Sequence, residues 1–147
     1  MLGLADAFNT YQTKTGGILD STTTLLSITP DQYDNLSSLW FNIGTKSYEL
    51  TPNAQIWPRS LNTAIGGNST AIYLIVSDIG TPSGSGLDFM NGYTFLYVLH
   101  PFFSDIHRSS VVLTLVLFYS ERYYSVYDTT NGQVGFAPTQ YTTSESN

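Results

Sequence analysis

Apolar residues at the start of the chain recur at helical spacing, and Gly16-Gly17 follows them where a helix would end. The residues that set this spacing are Leu4, Phe8 and Tyr11. A first helix is therefore predicted up to Lys14. The sequence Thr29-Pro30-Asp31-Gln32 combines an N-cap residue, a proline at the first helical position and a glutamine placed for a capping box. These residues predict a second, short helix over residues 30–37.

Two pairs of apolar-rich runs are separated by turn residues, as in β-hairpins. Residues 39–43 and 46–50 flank Gly44-Thr45, a glycine-led pair typical of a type II′ turn. Residues 123–128 and 133–137 flank a Thr-Thr-Asn-Gly turn. Both pairs predict hairpins.

Further strands are predicted over residues 54–57, where Pro58 ends the run, and over residues 71–79. The second of these has a continuous apolar centre, which predicts burial on both faces. The composition of residues 80–86, rich in Gly, Ser and Pro, indicates a loop within one domain. Residues 139–147 form a polar tail.

The composition favours a mainly β fold, because charged residues make up only 11% of the 147 residues and aromatic residues 14%. The net charge of -6 disfavours nucleic acid as a partner. The chain has no cysteine, which excludes disulfides and thiolate chemistry. Its longest apolar stretch, residues 111–119, is too short to cross a membrane, and no secretory signal opens the chain.

Asp20 lies in a stretch whose sequence is close to that of a catalytic loop. Ile18-Leu19-Asp20-Ser21 is followed by three threonines, whereas the active-site loop of aspartic proteases has two apolar residues, Asp, Ser or Thr, and then Gly. Thr22 stands where that glycine would bring the backbone close to the carboxylates. We therefore interpret Asp20 as a structural or solvated residue, with a catalytic role as the alternative.

Several longer motifs occur in one order along the chain. Phe41-Asn42-Ile43-Gly44, residues 48–59, residues 61–67, residues 86–92 and residues 121–128 resemble the carboxy-terminal lobe of pepsin-like (family A1) aspartic proteases, in particular the secreted acid proteases of basidiomycete fungi. The resemblance covers nearly the whole chain. It implies a mainly β fold with short helices: a partial C-terminal lobe of the double-psi β-barrel acid protease fold.

In this family, each of two lobes supplies one Asp to a cleft, and the two carboxyl groups activate water at acid pH without a cofactor. The resemblance aligns residues 4–11 with the helix that follows the second catalytic loop. Asp20 then aligns with a variable loop, and both catalytic loops would precede Met1. We therefore expect the fragment to be inactive by itself. Phe89 and Met90 would contact a protein or peptide substrate only if the missing lobe were present.

A second interpretation is a non-catalytic β-rich binding module, or a half that associates with a separate first lobe or with a second copy of itself. Exposed sheet edges and apolar patches would favour such association. The resemblance also implies an extracellular family, whereas the chain itself offers no signal from which to assign its location.

Residues 97–120 interrupt the resemblance, because the pairs that flank them are adjacent in related chains. The segment contains both histidines, His100 and His107, and the apolar run at 111–119. We hypothesise that it is translated intron sequence, and we expect it to lower solubility. Neither histidine has an acidic partner at a recognised metal-ligand spacing, so no metal site is predicted.

The remaining candidates are modification sites, acids and aromatic residues. Asn35 and Asn68 begin Asn-X-Ser/Thr sequons and are candidate glycosylation sites. The acids outside the Asp20 loop are interpreted as structural or solvated; they are Asp31, Asp34, Asp78, Asp88 and Asp128. Three large aromatic residues are predicted to lie in the core: Trp40, Trp57 and Phe89.

Overall fold

A computed structural model describes residues 4–78, 96–97 and 122–145, with side chains from residue 7 onward except at 96–97. The chain divides into two compact units, Met1–Met90 with Ser146–Asn147, and Asn91–Glu145. We call these unit 1 and unit 2. The predicted loop at 80–86 and nearly all of the segment at 97–120 lie outside the described residues.

The two helices of unit 1 follow their sequence signals. Helix α1 spans Leu4–Thr15 and ends at Gly16, whose φ of 67° is the left-handed conformation that glycine adopts readily. Helix α2 spans Pro30–Asp34 and begins with the predicted capping box between Thr29 and Gln32. The predicted end at residue 37 is wrong, because Asn35 caps the helix with a side-chain bond to the Asp31 carbonyl.

A three-stranded antiparallel sheet forms the centre of unit 1. Strands β1 (Ile18–Leu19), β2 (Leu26–Ile28) and β5 (Ile72–Leu74) lie in the order β1-β2-β5. Leu26 pairs with Leu74, and these two side chains are almost fully buried. The core cluster comprises Leu26, Ile28, Ile56, Ile72 and Leu74.

Strands β3 (Leu39–Ile43) and β4 (Lys46–Leu50) form the predicted hairpin, in which Ile43 pairs with Lys46 across Gly44-Thr45. Gly44 has a φ of 62° and Thr45 does not have a positive φ, so the turn has a positive φ only at its first central residue, as a type II′ turn requires. Burial alternates along β3, and this places Trp40 outward with 58% of its surface exposed. The prediction that Trp40 lies in the core is wrong.

The strand predicted over residues 54–57 is also wrong. Asn53–Gln55 forms a 3₁₀ helix, and only Ile56 makes a bridge, to Leu74. Pro52 adopts a helical conformation that starts the turn, and the buried Gln55 side chain donates to the Leu50 carbonyl. These bonds outweigh the strand propensity of a four-residue apolar run.

The strand predicted over residues 71–79 is shorter than expected. It is reduced to β5, three residues that are all buried, so the prediction of burial on both faces holds for that centre. Residues 75–78 have no regular structure, and residue 79 lies outside the described chain. A second 3₁₀ helix, Arg59–Ile65, and the Gly66-Gly67 turn precede β5.

Unit 2 is built on the second predicted hairpin, β7 (Tyr123–Asp128) and β8 (Gln133–Pro138). A two-residue strand, β6 (Leu96–Tyr97), pairs in parallel with β7. The residues after β8 form turns, and the Arg122 guanidinium donates to the carbonyls of Tyr141 and Ser144 at 2.7 and 2.6 Å. Across the described parts of both units, no helix has the length and apolar character that would be needed to span a membrane.

Candidate functional site

Asp20 begins the loop that joins β1 to β2, at residues 20–25. The Asp20 backbone N–H donates to the Leu25 carbonyl at 2.9 Å, and the Thr24 N–H donates to the Asp20 carbonyl at 2.8 Å. These bonds close the loop tightly. Thr24 completes it in the left-handed region with a φ of 59°, which is uncommon for a β-branched residue.

The Asp20 carboxylate is directed into its own loop. Its Oδ1 accepts the backbone N–H groups of Thr22 and Thr23 at 2.9 and 2.8 Å, and the Thr23 hydroxyl at 3.2 Å. The backbone bond from Thr23 contributes most to holding the pKa of Asp20 below its ordinary value, with the bonds from Thr22 and the Thr23 hydroxyl adding to it. The Asp20 carboxylate is thus occupied with donors of its own turn.

One contact extends from Asp20 to a distant element. The Tyr73 hydroxyl in β5 donates to Asp20 Oδ2 at the long distance of 3.5 Å, and the same hydroxyl accepts the Asn68 backbone N–H at 3.0 Å. Aspartic-protease chemistry requires two carboxyl groups that share a proton. The partners of Asp20 are instead amide and hydroxyl donors. Its non-catalytic assignment stays a prediction, with a physical basis in these bonds.

A second described acid, Asp128, begins the turn between β7 and β8 in unit 2. Asp128 accepts the backbone N–H groups of Thr130 and Asn131, and its second oxygen accepts the Asn131 side-chain amide at 2.6 Å. These bonds, led by the Asn131 side chain, hold the pKa of Asp128 below its ordinary value. Within the described parts of the chain, no cluster of three or more His, Asp or Glu side chains could hold a metal ion.

A groove of about 680 Å³ lies between α1 and the segment that leads from α2 to β3. Tyr11, Lys14, Asp31 and Leu36 are among its lining residues. The Tyr11 hydroxyl donates to Gln55 Oε1 at 3.0 Å, and burial raises the pKa of Tyr11 above its ordinary value. This tyrosine is therefore a neutral, structural hydrogen-bond donor and unsuited to acid–base chemistry near neutral pH.

Two buried amides organise unit 1, and sequence reasoning missed both. Gln55 is fully buried, and its Nε2 donates to the carbonyls of Leu50 and Ser37. Asn62 is 1% exposed, and its Nδ2 donates to the carbonyls of Asn68 and Ala71. No sequence motif marks either position. A buried amide can bridge two loops wherever tertiary packing supplies suitable acceptors, and the local sequence does not show those acceptors.

Several sequence candidates lie outside the described residues. They are Phe89, Met90, Asp88, His100 and His107. Their proposed roles, including substrate contact by Phe89 and Met90, stay predictions. Trp57 is half-buried, and its buried indole nitrogen has no hydrogen-bond partner among the residues that the structure describes.

No model of a known protein family matches the sequence. The chain is 50% identical to polyporopepsin of Irpex lacteus over 143 residues, which is 97% of this chain and 35% of the relative. It also superimposes on the crystal structure of an aspartic proteinase from Irpex lacteus with a TM-score of 0.76 and 49% identity, covering 99% of this chain and 36% of that one.

The chain therefore spans about a third of the length of each relative. The likeness is high at the levels of both sequence and backbone, and it agrees with the short helices and antiparallel strands of the described residues. In sequence and in fold, the chain corresponds to a fragment of a pepsin-like aspartic protease, and its fold is that of a partial lobe.

Proposed function

We propose that the chain supplies part of the C-terminal lobe of an aspartic endopeptidase that hydrolyses peptide bonds in acid, and that the 147 residues are inactive alone. The observation that carries this proposal is the use of the Asp20 carboxylate to close its own loop. In the described part of the chain the donors to Asp20 are amide and hydroxyl groups, and none of them is a second carboxyl group with which Asp20 could share a proton.

The length of the match supports the same proposal. Because the chain covers 35% of polyporopepsin, the other residues of such a protein would have to provide the catalytic acids. We also propose that the whole protein is secreted, since the resemblance is to a secreted family. The low content of charged residues, 11%, suits work in acid, where few carboxylates stay ionised.

Hydrolysis of an unfolded protein by the purified chain at about pH 3 to 5 tests the catalytic part of the proposal, at values chosen around the ordinary Asp range. We expect the chain to show no inhibitor-sensitive cleavage, that is, none that disappears when a transition-state-mimicking aspartic protease inhibitor is added. Inhibitor-sensitive cleavage that Asp20→Asn removes would refute the proposal and identify Asp20 as catalytic. Asp128→Asn is the matched control, because the Asp128 carboxylate closes the β7–β8 turn by accepting backbone N–H groups, as Asp20 does in its own loop.

The second candidate function is association with another chain. The observation in its favour is the exposure of apolar side chains on the β7–β8 hairpin, where Val126, Tyr127 and Val134 are 62%, 57% and 47% exposed. Co-expression with the part of polyporopepsin that this chain does not match tests it. Co-purification with restored acid proteolysis would support a complementing half. A monomer that binds nothing in this mixture would reject association.

A further inference from the structure

The two sequons of the chain use their asparagine amides differently. At Asn68, Oδ1 accepts the backbone N–H of Thr70 at 3.0 Å and the Thr70 hydroxyl at 2.9 Å. The backbone N–H of Asn68 donates to the Tyr73 hydroxyl, and its carbonyl accepts from Asn62. Among the described residues, Asn68 Nδ2 takes part in no hydrogen bond. Asn68, Ser69 and Thr70 are all exposed.

At Asn35 the same nitrogen is engaged. Asn35 Nδ2 donates to the Asp31 carbonyl at 2.8 Å, which adds a side-chain bond to the backbone cap of helix α2. The carbonyl of Ser37, the sequon hydroxyl residue, accepts from the buried Gln55 side chain. Modification of Asn35 would therefore disturb a helix cap, whereas Asn68 can be modified without breaking a described bond.

We propose that Asn68, and not Asn35, is an N-glycosylation site. In the reaction, Nδ2 of Asn68 attacks the anomeric carbon of an oligosaccharide carried on a lipid diphosphate. The bond from nitrogen to carbon forms, the bond from carbon to the phosphate oxygen breaks, the lipid diphosphate leaves, and the transferase takes one amide proton. This inference does not depend on the peptidase function; it requires only entry into a secretory pathway.

The Thr70 hydroxyl gives this site its chemistry. An amide nitrogen is a weak nucleophile because its lone pair is delocalised into the carbonyl. Two donors on Asn68 Oδ1 polarise the amide and make its N–H more acidic. Threonine is β-branched and stiff at χ1, so its hydroxyl is held towards Asn68 more firmly than a serine hydroxyl would be.

The backbone around Asn68 supports an outward-facing glycan. Its N–H and carbonyl are fixed by Tyr73 and Asn62, which are 1% exposed each. These anchors hold the loop against the core, while the Asn68 side chain stays at the surface. A sugar on Nδ2 would extend into solvent and shield the loop that contains Asn68.

The test is expression of the full 147-residue chain behind a cleavable secretion leader in a eukaryotic host. Two readouts are taken before and after endoglycosidase treatment: the intact mass of the chain and the mass of the peptide that carries each sequon. Both are measured on chains whose leader has been removed, whether these chains are secreted or retained in the cell. We expect one glycan, on Asn68. Asn68→Gln and Thr70→Val should each abolish it, Thr70→Ser should lower its occupancy, and Asn35→Gln should leave it unchanged.

Leader cleavage shows that a chain has entered the pathway, so a glycan-free product with its leader removed would overturn the proposal. A glycan on Asn35 alone, or equal occupancy of both sites, would overturn it as well. Thr70→Val keeps the side-chain shape and removes the hydroxyl. Full glycosylation of that variant would refute the role assigned to the Thr70 hydroxyl.

Discussion

Two aspartate turns of the described residues, at Asp20 and at Asp128, have the same local chemistry and different surroundings. In unit 1, Asp20 closes the β1–β2 loop by accepting two backbone N–H groups that lie two and three residues ahead. In unit 2, Asp128 closes the β7–β8 turn in the same way. Asp20 is further joined to β5 through Tyr73, whereas the second oxygen of Asp128 bonds within its own turn.

This comparison explains why Asp20 resembles a catalytic acid in sequence. An Asp followed by Ser and Thr is favoured wherever a turn needs a side-chain acceptor for its own amides. The same short motif therefore serves turn closure and, with a glycine and a second carboxylate, catalysis. The long-range contact through Tyr73 is what distinguishes the loop of unit 1, and the following substitutions test its weight.

The largest effect is expected for Gly67→Ala. An added Cβ would lie 2.7 Å from the Tyr73 ring and 3.1 Å from the Asn62 carbonyl oxygen. These contacts are too short, so the backbone at Gly67 or the Tyr73 ring must shift. We expect a loss of about 1–3 kcal/mol from the free energy of unfolding of unit 1. Urea titration followed by tryptophan fluorescence measures it, since both tryptophans lie in unit 1.

Gly135→Ala is the matched control, because nothing lies within 4 Å of its added Cβ. Hydrogen exchange of unit 2 peptides should be unchanged or slower in this variant. A neutral Gly67→Ala would show that the Gly67 loop is not packed against Tyr73 as described.

Tyr73→Phe should have the next largest effect. The substitution leaves the Asn68 N–H without its acceptor and removes the distant donor to Asp20. We expect unit 1 to lose about 1 kcal/mol of stability in the same urea titration, as for one buried hydrogen bond. Tyr127→Phe, at an exposed position in β7 of unit 2, is the control and should leave the hydrogen exchange of unit 2 peptides unchanged. Equal effects of the two variants would contradict the long-range link.

Thr24→Gly should stabilise unit 1 slightly. Thr24 has a φ of 59°, and relief of this left-handed strain exceeds the entropy cost of glycine by about 0.5–1 kcal/mol. Gly132, with a φ of 63°, holds the corresponding conformation in the turn of unit 2, so Gly132→Ala should destabilise that unit. Thermal unfolding and hydrogen exchange measure the two shifts. Opposite signs are expected, and equal signs would contradict the assigned backbone conformations.

The smallest effect concerns acid. The folded pKa values of Asp20 and Asp128 lie below the ordinary Asp value of 3.8, so each ionised carboxylate stabilises its turn. This stability is fully present above that ordinary value and is lost as pH falls through the folded pKa. Asp20→Asn should flatten the acid limb of stability against pH for unit 1, and Asp128→Asn that for unit 2. An unchanged acid limb in unit 1 would contradict the turn bonds of Asp20.

Local signals in the sequence predict much of this fold. The capping box at Thr29, the Gly44-Thr45 hairpin and the turn at Asp128 each depend on residues within four positions, and all three are present. Long-range effects were not predictable. The outward position of Trp40 depends on which face of β3 is covered, and the turn at residues 53–55 depends on acceptors for the Gln55 amide. Such facts reside in tertiary packing, which a single sequence does not display.

The buried Gln55 amide has a consequence for the chemical ageing of the protein. Its Nε2 donates to two carbonyl oxygens, at 3.0 Å from Ser37 and 3.1 Å from Leu50. Deamidation to glutamate would replace that nitrogen with an oxygen that repels both carbonyls. Full burial excludes the water that this hydrolysis needs, so the damage would occur only during excursions to the unfolded state. A chain that deamidated while unfolded would then refold poorly, and the loss would accumulate with each excursion.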